Sequence, residues 1–335
     1  MVAGSAMITR YCKEKLGGTS CGRSTRQYVR TRVRRDTLTA MTREEQAVLV
    51  AWLRRPKVVW SAVTERLEEC GSVRAAAAGE VPVQESLFDV TSTDDLEEAA
   101  ADVGRWERAG IRMVTVLDPQ YPSNLRMIHQ RPPVLFLRGA TDARDATSVA
   151  VVGTRKASPR GLDQARDLAA GLAIRNIPVI SGLAAGIDTA AHTAALAADG
   201  RTVAVIGTGI DRVYPAQNAR LQEEVAAKGL VISQFLPAAP PTKTSFPMRN
   251  AVMSGYALAT VVVEAAYQSG ARMQARLALQ HGRHVFLMRS LLEHDWARGY
   301  AQRPGVTVVD NAHDVFNGLQ RLAAESEELT ELVWA

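Results

Sequence analysis

The 335 residues are 47% hydrophobic but only 5% aromatic, enough for two domains and a core built mainly of Ala, Val and Leu. No apolar run is long enough to cross a bilayer and no signal-peptide core opens the chain. Cys12, Cys21 and Cys70 share no metal-ligand spacing, so a membrane span, a secretory route and a zinc module are excluded and a cytoplasmic protein is expected. The net charge of +5 is uneven, with nine Lys and Arg against two acidic residues in the first 40 positions and 31 against 33 in the rest.

Residues 1–41 read as a basic, disordered leader. An arm for nucleic acid, an organellar transit peptide or an upstream start codon ahead of Met41 would give the same composition. A small helical domain is predicted over 42–109. Thr42 followed by Glu45 forms a capping-box signature, helices fall at 58–70 and 94–109, ended by Gly71 and Gly110, and 79–93 reads as loop. The segment 110–139 supplies two short buried strands, IRMVTVL and VLFLRG, around a DPQYP turn, and is expected to pack onto the core of the sheet that begins at Ser148.

From 148 to 322 valine-rich runs alternate with helices, predicted at 162–175, 187–198, 216–227, 250–257, 270–280 and from 312. That alternation means a parallel sheet covered on both faces, with right-handed crossovers placing the strand-to-helix turns on one edge. The last residues, 323–335, read as an acidic tail with an apolar tip. Three of the turns are glycine-rich: SVAVVGTRKASPRG, VISGLAAGID and TVAVIGTGIDRVYP. Glycine turns that open helices at the ends of parallel strands make an anion crevice from backbone N–H groups, so phosphate of a nucleotide or nucleic acid is the expected ligand.

These stretches, together with VISGLAAGIDTAAHTAAL, SFPMRNAVMSG and VVVEAAYQSGARMQARLAL, resemble the DNA-processing protein A (DprA/Smf) family over roughly residues 42–320. The resemblance implies an α/β, extended Rossmann-like three-layer domain over 110–322 behind a sterile-alpha-motif-like helical domain. It implies a homodimer that binds single-stranded DNA and loads the RecA recombinase, with no enzymatic activity, no cofactor and no metal. The expected DNA and phosphate contacts are Gly153, Thr154, Arg155 and Lys156 of the first turn, and Ser181, Gly182, Ala184 and Gly186 of the second. Gly207, Thr208 and Gly209 belong to the third, Lys243, Phe246, Arg249 and Asn250 to the proline-flanked loop PPTKTSFPMRN, and Ser269 and Gly270 to a fourth turn. A strand-binding face needs spaced cations and a ring to stack on a base. Phe246 is either that ring or a plug between two turns, Asp188 caps its own helix or meets ligand, and Tyr214 with Pro215 is expected to shape a loop rather than stack a base.

The chain departs from the family pattern at Met288, Arg289 and Ser290, where a strand ends without proline-glycine. An insert at 291–305 comes next, and the sequence stops before the place of a winged helix. Aromatics interleaved with arginine in the insert suit a partner surface, and Tyr267, Met273, Leu291, Trp296 and Tyr300 are expected to face a second subunit. Two further readings follow from the resemblance: an anti-phage antitoxin bound to a co-encoded phosphoribosyltransferase-like toxin through the insert and residues 332–334, and a nucleotide sensor or phosphoribohydrolase. Glu264, which precedes its turn instead of following a double glycine, speaks against hydrolysis. His192 reads as structural, and His281 and His284 lack a third metal ligand.

Overall fold

The computed structural model describes residues 41–77 and 93–334, with side chains as far as Glu325. The basic leader with Cys12 and Cys21, residues 79–92 of the expected loop and the side chains of the apolar tip lie outside the described residues.

Helix α1 (Arg43–Leu53) begins at the predicted capping box. The Thr42 hydroxyl accepts the Glu45 N–H at 3.3 Å, and the Glu45 carboxylate accepts the Thr42 N–H at 3.1 Å. Helix α2 (Trp60–Cys70) stops at Gly71, whose φ of 70° turns the chain while its N–H bonds the Leu67 carbonyl. Helices α3 (Val73–Ala77) and α4 (Thr93–Arg108) complete the segment. Leu49, Leu53, Val63, Leu67 and Val73 are buried in the same apolar cluster as the sheet residues. Helices α1, α2 and α3 therefore share one core with the sheet, while α4 packs on α1 in a second cluster of Ala47, Val50, Ala51, Ala99 and Val103.

Among the described residues nine strands form one sheet in the order β1-β2-β6-β5-β4-β3-β7-β8-β9. Strands β1 (Arg112–Thr115) and β2 (Val134–Gly139) flank the short α5 (Ser123–Arg126) and form an antiparallel edge, β2 pairing antiparallel with β6. The others run parallel: β3 (Val149–Val152), β4 (Val179–Ser181), β5 (Thr202–Val205), β6 (Leu230–Ser233), β7 (Ala259–Val262), β8 (His284–Met288) and β9 (Val306–Val309). Val149, Ala150 and Val151 are wholly buried, as continuous apolar runs in a two-sided sheet must be.

From β3 the chain winds outward through α6 (Pro159–Ile174), α7 (Ile187–Ala197) and α8 (Ala219–Lys228) to β6. Then α9 (Ser245–Tyr256) carries it back over the sheet to β7, and α10 (Gly270–Gln280) and α11 (Asp295–Ala301) continue the other way. Right-handed crossovers put the first three helices on one face and the next three on the other. The last helix, α12 (Ala312–Trp334), returns to α6, where Phe316 packs under the Arg175 guanidinium at 3.9 Å and against Gly171. It runs through the acidic tail, which contains good helix formers and neither glycine nor proline.

Two expectations are corrected here. The helix predicted at 250–257 begins at Ser245, so Phe246, Arg249 and Asn250 lie on a helix and not in a loop; Pro247 is tolerated because it sits in the first turn. The large apolar side chains of the 291–305 insert are not a surface. Leu291, Trp296 and Tyr300 are 2%, 5% and 6% exposed and join the core. The insert's arginines serve the fold: Arg298 binds the Leu292 and Glu293 carbonyls and Arg303 covers the Tyr300 ring at 4.2 Å, while Arg289 just ahead of it pairs with Asp310. Tyr267 is exposed, under its own arginine, Arg272, at 4.2 Å.

Candidate functional site

Strands β3 and β7 are neighbours from which the chain departs in opposite directions, so the two connections leave a gap between them. Ligands of open α/β sheets bind at such switch points, beyond the carboxyl ends of the strands. Here the gap is a cleft of about 540 Å³, lined after β3 by Gly153, Thr154, Arg155 and Lys156 and after β7 by Ala266, Gln268, Ser269 and Gly270. Ala184 and Asp188 line it from the turn after β4, Phe246, Arg249, Asn250 and Met253 from α9, and Gln274 from α10.

The floor holds a buried arginine. Arg249 is 5% exposed and its guanidinium stands 4.0 Å from the Asp188 carboxylate, itself 5% exposed. Its Nε and Nη1 have no hydrogen-bond partner, a costly state for a buried charged donor. Burial pulls the Arg249 pKa down, with Asp188 opposing. Burial pushes the Asp188 carboxyl up, while Arg249 and the N–H groups of Ala184 and Gly182 hold it down. Gly182 makes the arrangement possible, since a Cβ there would lie 1.2 Å from Arg249 Nη1.

The expected crevice of backbone donors is partly filled by the protein's own groups. Asp188 accepts the N–H groups of Gly182 and Ala184 at 3.2 and 3.3 Å. Glu264, the one carboxylate considered for hydrolysis, accepts the Ser158 N–H at 3.1 Å and its hydroxyl at 2.9 Å at the start of α6, and its carbonyl accepts the Thr154 N–H. The Lys156 N–H goes to the Thr154 hydroxyl. An incoming anion therefore meets side-chain donors at the rim, the exposed Arg155 and Lys156, above the buried charge of Arg249.

The remaining predicted residues divide. Ser181 is buried and donates to the Val151 carbonyl at 2.6 Å, tying β4 to β3. Gly186 is packed under the first turn, its missing Cβ 2.4 Å from the Thr154 carbonyl oxygen. The third turn does not line the cleft: Gly207 lies beneath the Phe246 ring and Gly209 against the backbone of residues 236–239, with Thr208 buried. Ser269 caps α10 by accepting the Ala271 N–H at 3.1 Å, and Asn250 donates to the Gly270 carbonyl at 3.4 Å. Lys243 is exposed just ahead of α9 and outside the cleft lining. Sequence reasoning missed Met253, Gln268 and Gln274. Gln274 had a signal, four residues beyond Gly270 and so on the same helical face.

His192 lies beneath the second turn, fully buried. Thr202 donates its hydroxyl proton to the Val179 carbonyl, so it accepts from His192 Nδ1–H at 2.7 Å, and Nε2 has no partner. Burial foremost, then Arg249, lowers its pKa to about 3. The unfolded chain then binds the extra proton between pH 6.5 and 3, so stability falls with acidification across that window, by about 1.4 kcal/mol per pH unit. Thermal melts of His192→Gln should show a flatter acid limb than wild type; an unchanged limb would place the acid sensitivity elsewhere.

Among the described residues no group of His, Cys, Asp and Glu could hold a metal, and no helix is long and apolar enough to cross a membrane. Residues 112–320 match the family model of DNA recombination-mediator protein A. The chain is 41% identical over 172 residues to DNA processing protein DprA of Streptococcus pneumoniae, covering 51% of this chain and 61% of that protein. It is 35% identical over 229 residues to Protein Smf of a Synechocystis species, covering 66% and 54%. The match thus spans between half and two thirds of these relatives' own length. The X-ray structure of the Streptococcus pneumoniae protein superimposes with a TM-score of 0.65 at 29% identity, covering 83% of this chain and 98% of that one. DNA processing protein A from Helicobacter pylori, whose structure is described for its single-stranded DNA binding mode, gives 0.56 at 25% identity over 63% and 96%. With a Rossmann-like sheet whose switch-point cleft falls inside the matched region, the chain belongs to the DNA recombination-mediator protein A family.

Proposed function

We propose that the protein binds single-stranded DNA in the cleft between the β3 and β7 turns and acts in the cytoplasm as a recombination mediator that presents the strand to RecA, with no bond-breaking chemistry of its own. The observation that carries the reading is Arg249: a buried guanidinium, 4.0 Å from Asp188, places a positive charge in the lining of an open cleft, and such a charge draws an anion. Arg155 and Lys156 on the rim add charge for neighbouring phosphates, and the Phe246 ring beneath the Arg155 guanidinium offers a stacking face to a base that displaces it. The structure of DNA processing protein A from Helicobacter pylori, described for its single-stranded DNA binding mode, supports the choice of ligand. Trp296, one of the insert side chains expected to hold a toxin, is in the core and is not available to a partner.

The test is a salt titration of oligonucleotide binding. Each phosphate contact on a single strand contributes about 0.7 to the slope of log affinity against log salt. Replacing Arg155 and Lys156 together by Ala should weaken binding and shallow that slope by about 1.4. Equal affinity for duplex, or a slope unchanged in the double variant, would refute the cleft as the binding site. Failure to speed RecA filament growth on strand coated with single-strand-binding protein would refute the mediator role alone.

A further inference from the structure

Beside the cleft, and not among the residues that line it, stands Tyr214. It follows the third glycine turn, the one closed to ligand, and is 43% exposed. Its hydroxyl makes no hydrogen bond to any described residue. Its ring contacts Phe246, with centroids 5.6 Å apart and planes inclined at 45°. Phe246 in turn lies under the Arg155 guanidinium, 5.1 Å from the ring centre. The three groups form a file: a cation within the cleft, a ring at its edge and a second, more exposed ring beyond. A large aromatic surface left this open on a polar edge is a candidate binding surface.

We propose that Tyr214 is a second nucleobase seat, which takes the base next to the one on Phe246 and so sets the direction in which the strand leaves the cleft. The inference rests on the reading of the cleft as a single-strand site and adds the strand's path out of it, over the third turn and toward Lys243, away from Ser269 and Gly270. The geometry also bears on selectivity. Stacked bases of a duplex are parallel and rise 3.4 Å per step on each strand. Two rings inclined at 45° and 5.6 Å apart cannot both lie flat on consecutive bases of such a stack. A strand whose bases are unstacked and splayed can meet both rings. The pair therefore selects for single strand by shape, without reading sequence, because every base has a π face.

The experiment compares wild type, Tyr214→Ala and Tyr214→Phe with three probes: thymidine monophosphate, a short oligothymidylate, and the same oligonucleotide carrying one 2-aminopurine, whose emission falls when it stacks. Tyr214→Ala should leave the mononucleotide's affinity unchanged and weaken the oligonucleotide roughly five- to one-hundred-fold, the worth of one base–aromatic stack. Its 2-aminopurine should be brighter in the complex than with wild type. Tyr214→Phe keeps the ring and should match wild type on all three. Oligonucleotide affinity and emission unchanged in Tyr214→Ala, while the Arg155 and Lys156 variant still binds weakly, would overturn the second seat and leave the cleft reading standing. Wild type that binds neither probe would overturn both. Loss of mononucleotide binding in Tyr214→Ala would show that the residue shapes the cleft and seats no base.

Discussion

Gly186→Ala is expected to unfold the site and take strand binding with it. Gly186 has φ 79° and ψ −123°, a conformation open in practice to glycine alone. The added methyl would lie 2.4 Å from the Thr154 carbonyl oxygen and 2.8 Å from that of Arg155. Both obstacles are backbone, held by the bond from the Thr154 N–H to the Glu264 carbonyl at 2.7 Å. Relief therefore means pushing the first turn off the second and opening the cleft wall. Strain and clash together should cost at least about 3 kcal/mol, a drop of several degrees in melting temperature, and the displaced Arg155 and Lys156 should bind strand at least tenfold more weakly. Gly270→Ala is the matched control, because its methyl would meet nothing within 4 Å at the start of α10. It should fold as wild type. Equal melting curves for the two variants would mean that the first two turns do not brace one another.

Arg249→Met should separate binding from stability. It removes the floor donors, so strand affinity should fall on the order of a hundredfold, and it leaves Asp188 buried without its cation. Breaking a buried pair in this way costs about 3–5 kcal/mol. Arg249 is the strongest influence holding the Asp188 carboxyl down, so its loss raises that pKa further above its unfolded value. A carboxyl whose folded pKa is raised binds its proton more tightly in the native state. The penalty is therefore absent below the unfolded pKa and grows as pH rises toward the folded one. Melts of Arg249→Met should show the deficit shrinking under acid conditions. Adding Asp188→Asn should restore stability near neutral pH and leave strand binding lost. A double variant that binds strand would remove Arg249 from the site.

The elements were legible because their signals are local. The capping box at Thr42 and Glu45, the stop at Gly71 and the valine runs of β3, β5 and β7 depend on neighbours within a few residues, and α1, α2 and the parallel sheet arise from them. The first turn could be assigned to the site for the same reason, since glycines followed by Arg155 and Lys156 at a strand end read the same in one dimension and in three. The rest depended on contacts between distant positions. Residues 153–156 face residues 266–270 only because the strand order reverses between β3 and β7. Glu264 and Asp188 fill the backbone nests because that reversal brings carboxylates from elsewhere in the chain, or from the next turn of helix, to the exposed N–H groups. The third turn opens on the same Gly-Thr pair as the first, yet it is shut by residues 236–239 and by Phe246, which no local pattern encodes. Trp296 and Tyr300, spaced four apart among arginines, give the same sequence signal whether they face a partner or the core. Packing against the sheet turned them inward, since burying two large rings gains more than exposing them. Sequence settled the strands and most of the helices; the order in which the sheet assembled settled which of its glycine turns remain open to a ligand.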